Sequence, residues 1–282
     1  MEPIERFFWW IEERHRIFLK KDMGLSPDLW TDDEILKTYR FTNPFRENDK
    51  TTVWFREKMR DPLNGDDAVL MATVIFRWFN LIETGETLLA NNLHVEWNPE
   101  VAREEIKKQS KYVTGGYIIK TPDGMDKVDG VIWCINRVWP QREQLANDIR
   151  SNTLRGSWNT VMQFPYLGAF MAYELITDLR HTHLLNQADD IYTWANAGPG
   201  AMRGLNRIYG RPLNFKSRKH NFTKEMHDLL LCAEENLSKD FLQILKFKGI
   251  RLEMRDIEHS LCEFDKYERV RNGEGAPRGK YP

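Results

Sequence analysis

The chain has 282 residues and a formal net charge of −1, with 41% hydrophobic and 29% charged residues. That length suffices for one large domain or two small ones around a sizeable core. The near-neutral charge excludes nucleic-acid binding through global charge, so such a role requires a local basic surface.

Residues 2–21 place Ile4, Phe7, Phe8, Ile11, Phe18 and Leu19 at near-helical spacing. Charge interrupts this run, and no apolar run in the chain approaches ~18 residues, so neither a signal peptide nor a membrane span is expected. Thr31, followed three residues later by Glu34, predicts a capping box. "GDDAVLMATVIFRWFNLIETGETLL" predicts a buried helix and "NPEVAREEIKKQSKYV" an exposed one. The stretch 113–133 has β-favouring residues around Pro-Asp-Gly and predicts a short hairpin or an irregular loop. Helix returns over 141–161, in "FPYLGAFMAYELITDL", and in two closing segments, "TKEMHDLLLCAEENLSKDFLQIL" and "EMRDIEHSLCEFDKYERVR". Residues 271–282 read as an extended tail. Ten tryptophans and fifteen phenylalanines suit an aromatic helical core; stacking on nucleobases is the alternative use.

Cys134, Cys232 and Cys262 are far apart and form no CxxC pair, which argues against a zinc site and a disulfide framework. No metal and no cofactor are expected, and no GxxxxGK[ST] phosphate loop is present.

Four stretches carry chemistry. "FPYLGAF" has the pattern of a helix–hairpin–helix, with Tyr166 and Gly168 in a turn that aims backbone N–H groups at a phosphate. An ordinary αα-corner is the structural alternative. Asp189 and Asp190 follow Gly168 by 21 and 22 residues; they read as a carboxylate pair or as an N-cap to a helix containing Thr193 and Trp194. Gly198 and Gly200 leave backbone accessible, and Arg203 and Arg207 share a helical face, together an anion site or a loop with solvated arginines. "YRFTNPFREND" crowds Arg40, Asn43, Phe45, Arg46, Glu47 and Asp49 into the mixture of rings, amide and guanidinium that an extruded base requires, or into an N-cap with surface ion pairs. His259, Glu263 and Lys266 fall along one side of a helix, and Cys262 reads as packed core.

In this order, "YRFTNPFREND", "FPYLGAFMAYELITDL", "GPGAMRGLNRI" and "IEHSLCEFDKYER" resemble the α-glutamyl/putrescinyl thymine pyrophosphorylase family of phages and bacteria. That family is similar to the helical domain attached to phage 5-hydroxymethyluracil DNA kinases, and is a relative of the helix–hairpin–helix DNA glycosylases. The resemblance spans about residues 39 to 269. It implies a mainly α, glycosylase-like fold with at most a small β-hairpin, and activity on modified pyrimidines in DNA. The position after the hairpin glycine implies a catalytic aspartate at Asp189 or Asp190. No lysine stands where Schiff-base glycosylases carry one, and Tyr166 replaces the usual first hairpin glycine.

The expected protein is a single helical unit over 1–282, dividing if at all into lobes of about 1–140 and 141–270. The expected function is a monofunctional glycosylase that flips and excises a modified pyrimidine from double-stranded DNA, consistent with antiviral defence in a prokaryotic cytoplasm. The alternatives are a transferase that displaces pyrophosphate from the base with an amine, and a non-catalytic module for modified DNA. The glycosylase reading places Arg40, Asn43 and Arg46 close to Asp190. Basic residues of "RPLNFKSRKH", 211–220, complete the expected DNA surface.

Overall fold

A computed structural model describes residues 1–281. The chain forms two compact units, residues 1–49 with 191–282 and residues 50–190. Both chain ends belong to the first unit, and the divisions fall at 49/50 and 190/191 rather than near residue 140.

The first unit begins with α1 (Pro3–Asp22), where Pro3 takes the first helical position and Glu2 and Glu5 form a reciprocal capping box. Phe7, Phe8, Trp10, Ile11, Arg14, His15 and Ile17 form its buried face. The short α2 (Glu34–Thr38) is capped by Asp33, whose Oδ1 accepts from the Leu36 N–H at 2.8 Å, so the Thr31–Glu34 capping box does not form. The Thr31 hydroxyl instead accepts from the Asp33 N–H at 3.1 Å.

The second unit opens with α3 (Lys50–Phe55), which runs on into a π-helical turn, Arg56–Arg60. Its centre is α4 (Ala68–Phe79), buried at every position from Val69 to Phe79. Asn80 adopts a left-handed φ of 47° and ends it, so the long apolar segment becomes two helices, with α5 at Ile82–Ala90. Asn98 caps α6 (Pro99–Ile106). Residues 113–126 are irregular, and Asp126 caps α7 (Lys127–Val138). Of the two expected forms this stretch takes the irregular loop; among the described residues the only β-pairing is an isolated bridge between Tyr39 and Lys280. The span 141–161 forms two helices, α8 (Arg142–Ile149) and α9 (Leu154–Val161), and α10 (Ala169–Leu179) follows.

The first unit resumes with α11 (Pro199–Ile208), α12 (Phe222–Leu231), α13 (Ala233–Asn236), α14 (Lys239–Phe247) and α15 (Met254–Arg271). Its most extensive helix pairing is α11 on α15. A Cβ on Gly204 would lie 2.3 Å from the Leu261 carbonyl oxygen, and one on Gly200 would lie 2.3 Å from Cys262 Sγ. Those glycines are what lets the two helices approach. Burial pushes the Cys262 thiol up to about 12, as expected of a packed thiol.

His15 is fully buried among the rings of Phe18, Phe45 and Phe241, and neither ring nitrogen has a partner. Burial, reinforced by Lys248, Arg14 and Arg16, brings its pKa down from 6.5 to about 4. Between those values the unfolded chain holds a proton that the folded chain refuses, so stability falls as pH drops from about 6.5 to 4. The shift corresponds to roughly 3 kcal/mol at full titration. His15→Leu is expected to flatten this part of the stability–pH curve in urea titrations. An unchanged slope would show that other groups set the acid sensitivity.

Candidate functional site

The helix–hairpin–helix expectation fits the local geometry of the second unit. Here α9 ends at Val161, the chain turns through Phe164–Gly168, and Gly168 caps α10. Leu167 is completely buried and anchors the turn. Trp158 Nε1 donates to the Ala169 carbonyl at 2.9 Å and ties the two helices together. Tyr166 adopts φ 64°, the left-handed conformation that favours glycine. The turn thus places a left-handed residue where the resemblance implies a glycine. Nothing would meet a Cβ at Gly168, so the backbone there is open to an approaching ligand.

Asp190 closes the second unit. Its Oδ1 accepts from the Leu154 N–H at 2.6 Å and its Oδ2 from the Arg155 N–H at 3.0 Å. Both donors are orphan amides of the first turn of α9, where Thr153 also caps. Asp190 thus holds the N-terminus of the hairpin's first helix. It does not cap a helix of its own, since residues 189–193 form turns and no helix begins until Pro199. Two of a carboxylate's roughly four acceptor directions are used this way, and the residue is half-buried. Asp189 is exposed and makes no side-chain hydrogen bond among the described residues.

In the first unit, α1 and α15 grip the loop 39–49. Arg14 donates twice to the Phe41 carbonyl, at 3.1 and 2.9 Å. Glu263 Oε2 accepts from the Thr42 N–H at 3.1 Å, and the Thr42 hydroxyl lies 2.8 Å from His259 Nε2. Asp49 Oδ1 accepts from the Asn43 N–H and from Asn43 Nδ2, each at 3.0 Å; its Oδ2 faces His259 Nε2 at 3.9 Å. Lys266 pairs with Glu263. Asn43 is buried and its Oδ1 has no partner. Burial, then Arg255, Arg46 and Lys266, hold the His259 imidazole well below its usual range, so it is neutral at pH 7. Burial raises the Asp49 carboxyl.

Asn43, Asp49, His259, Glu263 and Lys266 therefore form one polar cluster, with Arg46 and Glu47 in the adjoining turn, Arg46–Asn48. Two expected members stand apart. Phe45 is core, 5% exposed with its ring against His15, so it presents no face to a ligand. Arg40 is exposed; its N–H donates to Gly279 and its guanidinium lies over Tyr281. Arg14 and Thr42 escaped the sequence reading. Arg14 was legible in part, because it falls on the apolar face of α1 at the spacing of Phe7 and Ile11.

The Gly198–Arg207 stretch is more structural than its composition implies. Asp265, fully buried, accepts from Arg203 Nε and Arg207 Nε at 2.8 Å each. Arg207 also pairs with Glu274 at 2.5 Å and keeps only 7% of its side-chain surface, so it is a counter-ion and not an open phosphate ligand. Arg203 keeps 40% of its side-chain surface. Arg211, expected in the basic surface, is bound by Glu225 at 2.6 and 2.7 Å; Lys216, Arg218 and Lys219 are exposed. No helix among the described residues is long and apolar enough to cross a membrane.

Residues 2–276 match the family described as 5-hmdU DNA kinase, helical domain. A 5-hmdU DNA kinase of Bacillus phage SP10 is 24% identical over 288 residues, covering 93% of this chain and 44% of the phage protein. The chain thus spans less than half the length of that relative. No solved structure matches it at a significant level. With the match running through both units and nearly end to end, the chain belongs to the family of 5-hmdU DNA kinase helical domains.

Proposed function

We propose that this chain is a DNA glycosylase that excises a modified pyrimidine. The observation that carries the reading is the Asp190 carboxylate, fixed by two backbone amides to the first helix of a helix–hairpin–helix. Cleavage of the N-glycosidic bond leaves the electron pair on the departing base and positive, oxocarbenium-like charge on the sugar. Water then adds to the sugar carbon and gives up a proton, leaving an abasic site. A carboxylate held rigidly by a helix stabilises the cation and accepts that proton. The relative's name supplies the substrate class, a hydroxymethylated pyrimidine in DNA.

A second reading rests on His259. A neutral imidazole beside a hydroxyl can take a proton from an amine, and a transferase that replaces pyrophosphate with an amine needs such a base. Arg203 would then hold the leaving group. Asp265 already neutralises part of that arginine's charge, which is why the glycosylase reading is preferred.

The test is incubation of the full chain with DNAs carrying thymine, 5-hydroxymethyluracil, 5-hydroxymethylcytosine or a glucosylated cytosine. Free base is measured by chromatography and abasic sites by alkaline strand cleavage. Release from a modified DNA, and not from the thymine control, is expected. An amine adduct with no free base would transfer the assignment to the second reading. Binding without either product would leave a non-catalytic module.

A further inference from the structure

The hairpin turn carries a ring that its fold does not need. Tyr166 stands in a left-handed conformation that glycine adopts freely and a bulky residue adopts at a cost. Packing does not offset that cost. The side chain is 39% exposed, and its aromatic neighbour is Trp133, 6.0 Å away and nearly perpendicular. Leu167, next in the chain, already anchors the turn. Phe170, in the first turn of α10, is 50% exposed, with its ring 5.1 Å from that of Tyr117. Edge-to-face pairing occupies at most one face of each ring, so both exposed rings keep a face for a ligand.

The surroundings are polar and suited to a nucleotide. The Arg137 guanidinium lies 4.5 Å from the Trp133 ring centroid and also lines a groove of about 310 Å³ between α7, α8 and α9. Gln141, Gln144 and Gln163 line the same groove, and Phe164 and Pro165 lead from it directly to Tyr166. Asp148 is its acidic member and accepts from Gln144 at 2.7 Å. Glutamine amides satisfy the edge of any base, an arginine takes a phosphate, and the open backbone at Gly168 lets a strand approach.

We propose that this face, formed by the hairpin turn and α7, binds single-stranded DNA, with unstacked bases on Tyr166 and Phe170 and an adjacent nucleotide along the glutamine-lined groove. A duplex offers only phosphates and base edges, and a turn made to lie along its backbone is best served by a small residue at the tip. Exposed rings beside a cation are what single strands require. The inference rests on the proposed function only in taking DNA as the ligand.

Binding of the full chain to a fluorescein-labelled thymidine oligomer and to a hairpin duplex, followed by anisotropy at one fixed salt concentration, tests it. Removal of each stacking ring is expected to weaken oligomer binding roughly 5- to 100-fold, so Tyr166→Gly and Phe170→Ala should each lower the oligomer-to-duplex affinity ratio by that factor. Tyr166→Phe keeps the ring and should keep the ratio. Tyr166→Gly suits the local backbone, so its thermal midpoint should not fall, which separates lost stacking from lost folding. No oligomer binding by the unmodified chain overturns the proposal. An equal loss on oligomer and duplex also overturns it, because the turn would then be a general backbone contact. Base release from duplex without oligomer binding defeats this inference and leaves the glycosylase reading standing. Oligomer binding without base release does the reverse.

Discussion

On the proposed glycosylase mechanism, Asp190→Asn is expected to release modified base at least ~10²-fold more slowly than the unmodified chain, because it removes the charge assigned to the developing oxocarbenium. The substitution keeps the size of the side chain but not all of its structural work. An asparagine offers one acceptor oxygen, so only one of the Leu154 and Arg155 amides keeps its partner and the other meets an NH₂ group. That loss is expected to cost about 1 kcal/mol of stability. The two roles can therefore be told apart. If Asp190 serves only to hold α9, activity measured well below the unfolding transition changes little. If it serves the chemistry, the rate falls far more than a change of that size in stability explains. DNA binding should survive, since the hairpin turn is untouched. Asp189→Asn is the matched control: Asp189 is exposed and bonded to nothing among the described residues, so near-normal release is expected. Full activity in both variants would end the carboxylate mechanism.

How much of this was legible depended on how far apart in the chain the interacting residues lie. The apolar stripe of α1 follows from the 3.6-residue period, and α4 from the length of its apolar run. The hairpin turn was legible from Pro165, Gly168 and the apolar residues around them, although its Tyr166 carries no glycine signature. Endings set by one side chain were less visible. Asn80 breaks an apolar run of helix formers by taking a left-handed conformation, and Pro-Asp-Gly at 122–124 turns a loop without pairing any strand. Long-range pairing was the part not written locally. Arg207 looks solvated in sequence because Asp265, its partner, is 58 residues away. Phe45 looks like a pocket ring until His15, 30 residues earlier, lies against it. Thr42 has no motif character at all, and its place between Glu263 and His259 exists only once α15 has folded beside the loop. The division into units was hidden for the same reason, since its boundaries join segments from opposite ends of the chain.

Asp178→Ala is expected to destabilise the second unit by about 3–5 kcal/mol. Asp178 is fully buried, and Arg77 is 2% exposed. They meet in a bidentate pair, Nε to Oδ2 at 2.5 Å and an Nη to Oδ1 at 2.8 Å. Arg77 also donates to Asn80 Oδ1 at 2.7 Å and to Thr52 Oγ1 at 3.2 Å, and its guanidinium lies over Phe55 and Phe76. Removal of the carboxylate leaves a guanidinium that cannot shed its charge inside an apolar layer, which is why the loss exceeds that of an ordinary hydrogen bond. Chemical denaturation should show a single change costing several kcal/mol, and the double variant Arg77→Met, Asp178→Leu should cost less than Asp178→Ala alone, because neither charge is then stranded. A loss below about 1 kcal/mol would mean that water reaches the pair and screens it. The pair also bears on the proposed DNA contact of the hairpin. It fastens α10 to α4, and α10 is the helix that starts at Gly168. A loosened α10 should widen the range of hairpin-turn conformations, so DNA affinity should fall in Asp178→Ala even under conditions where the chain remains folded.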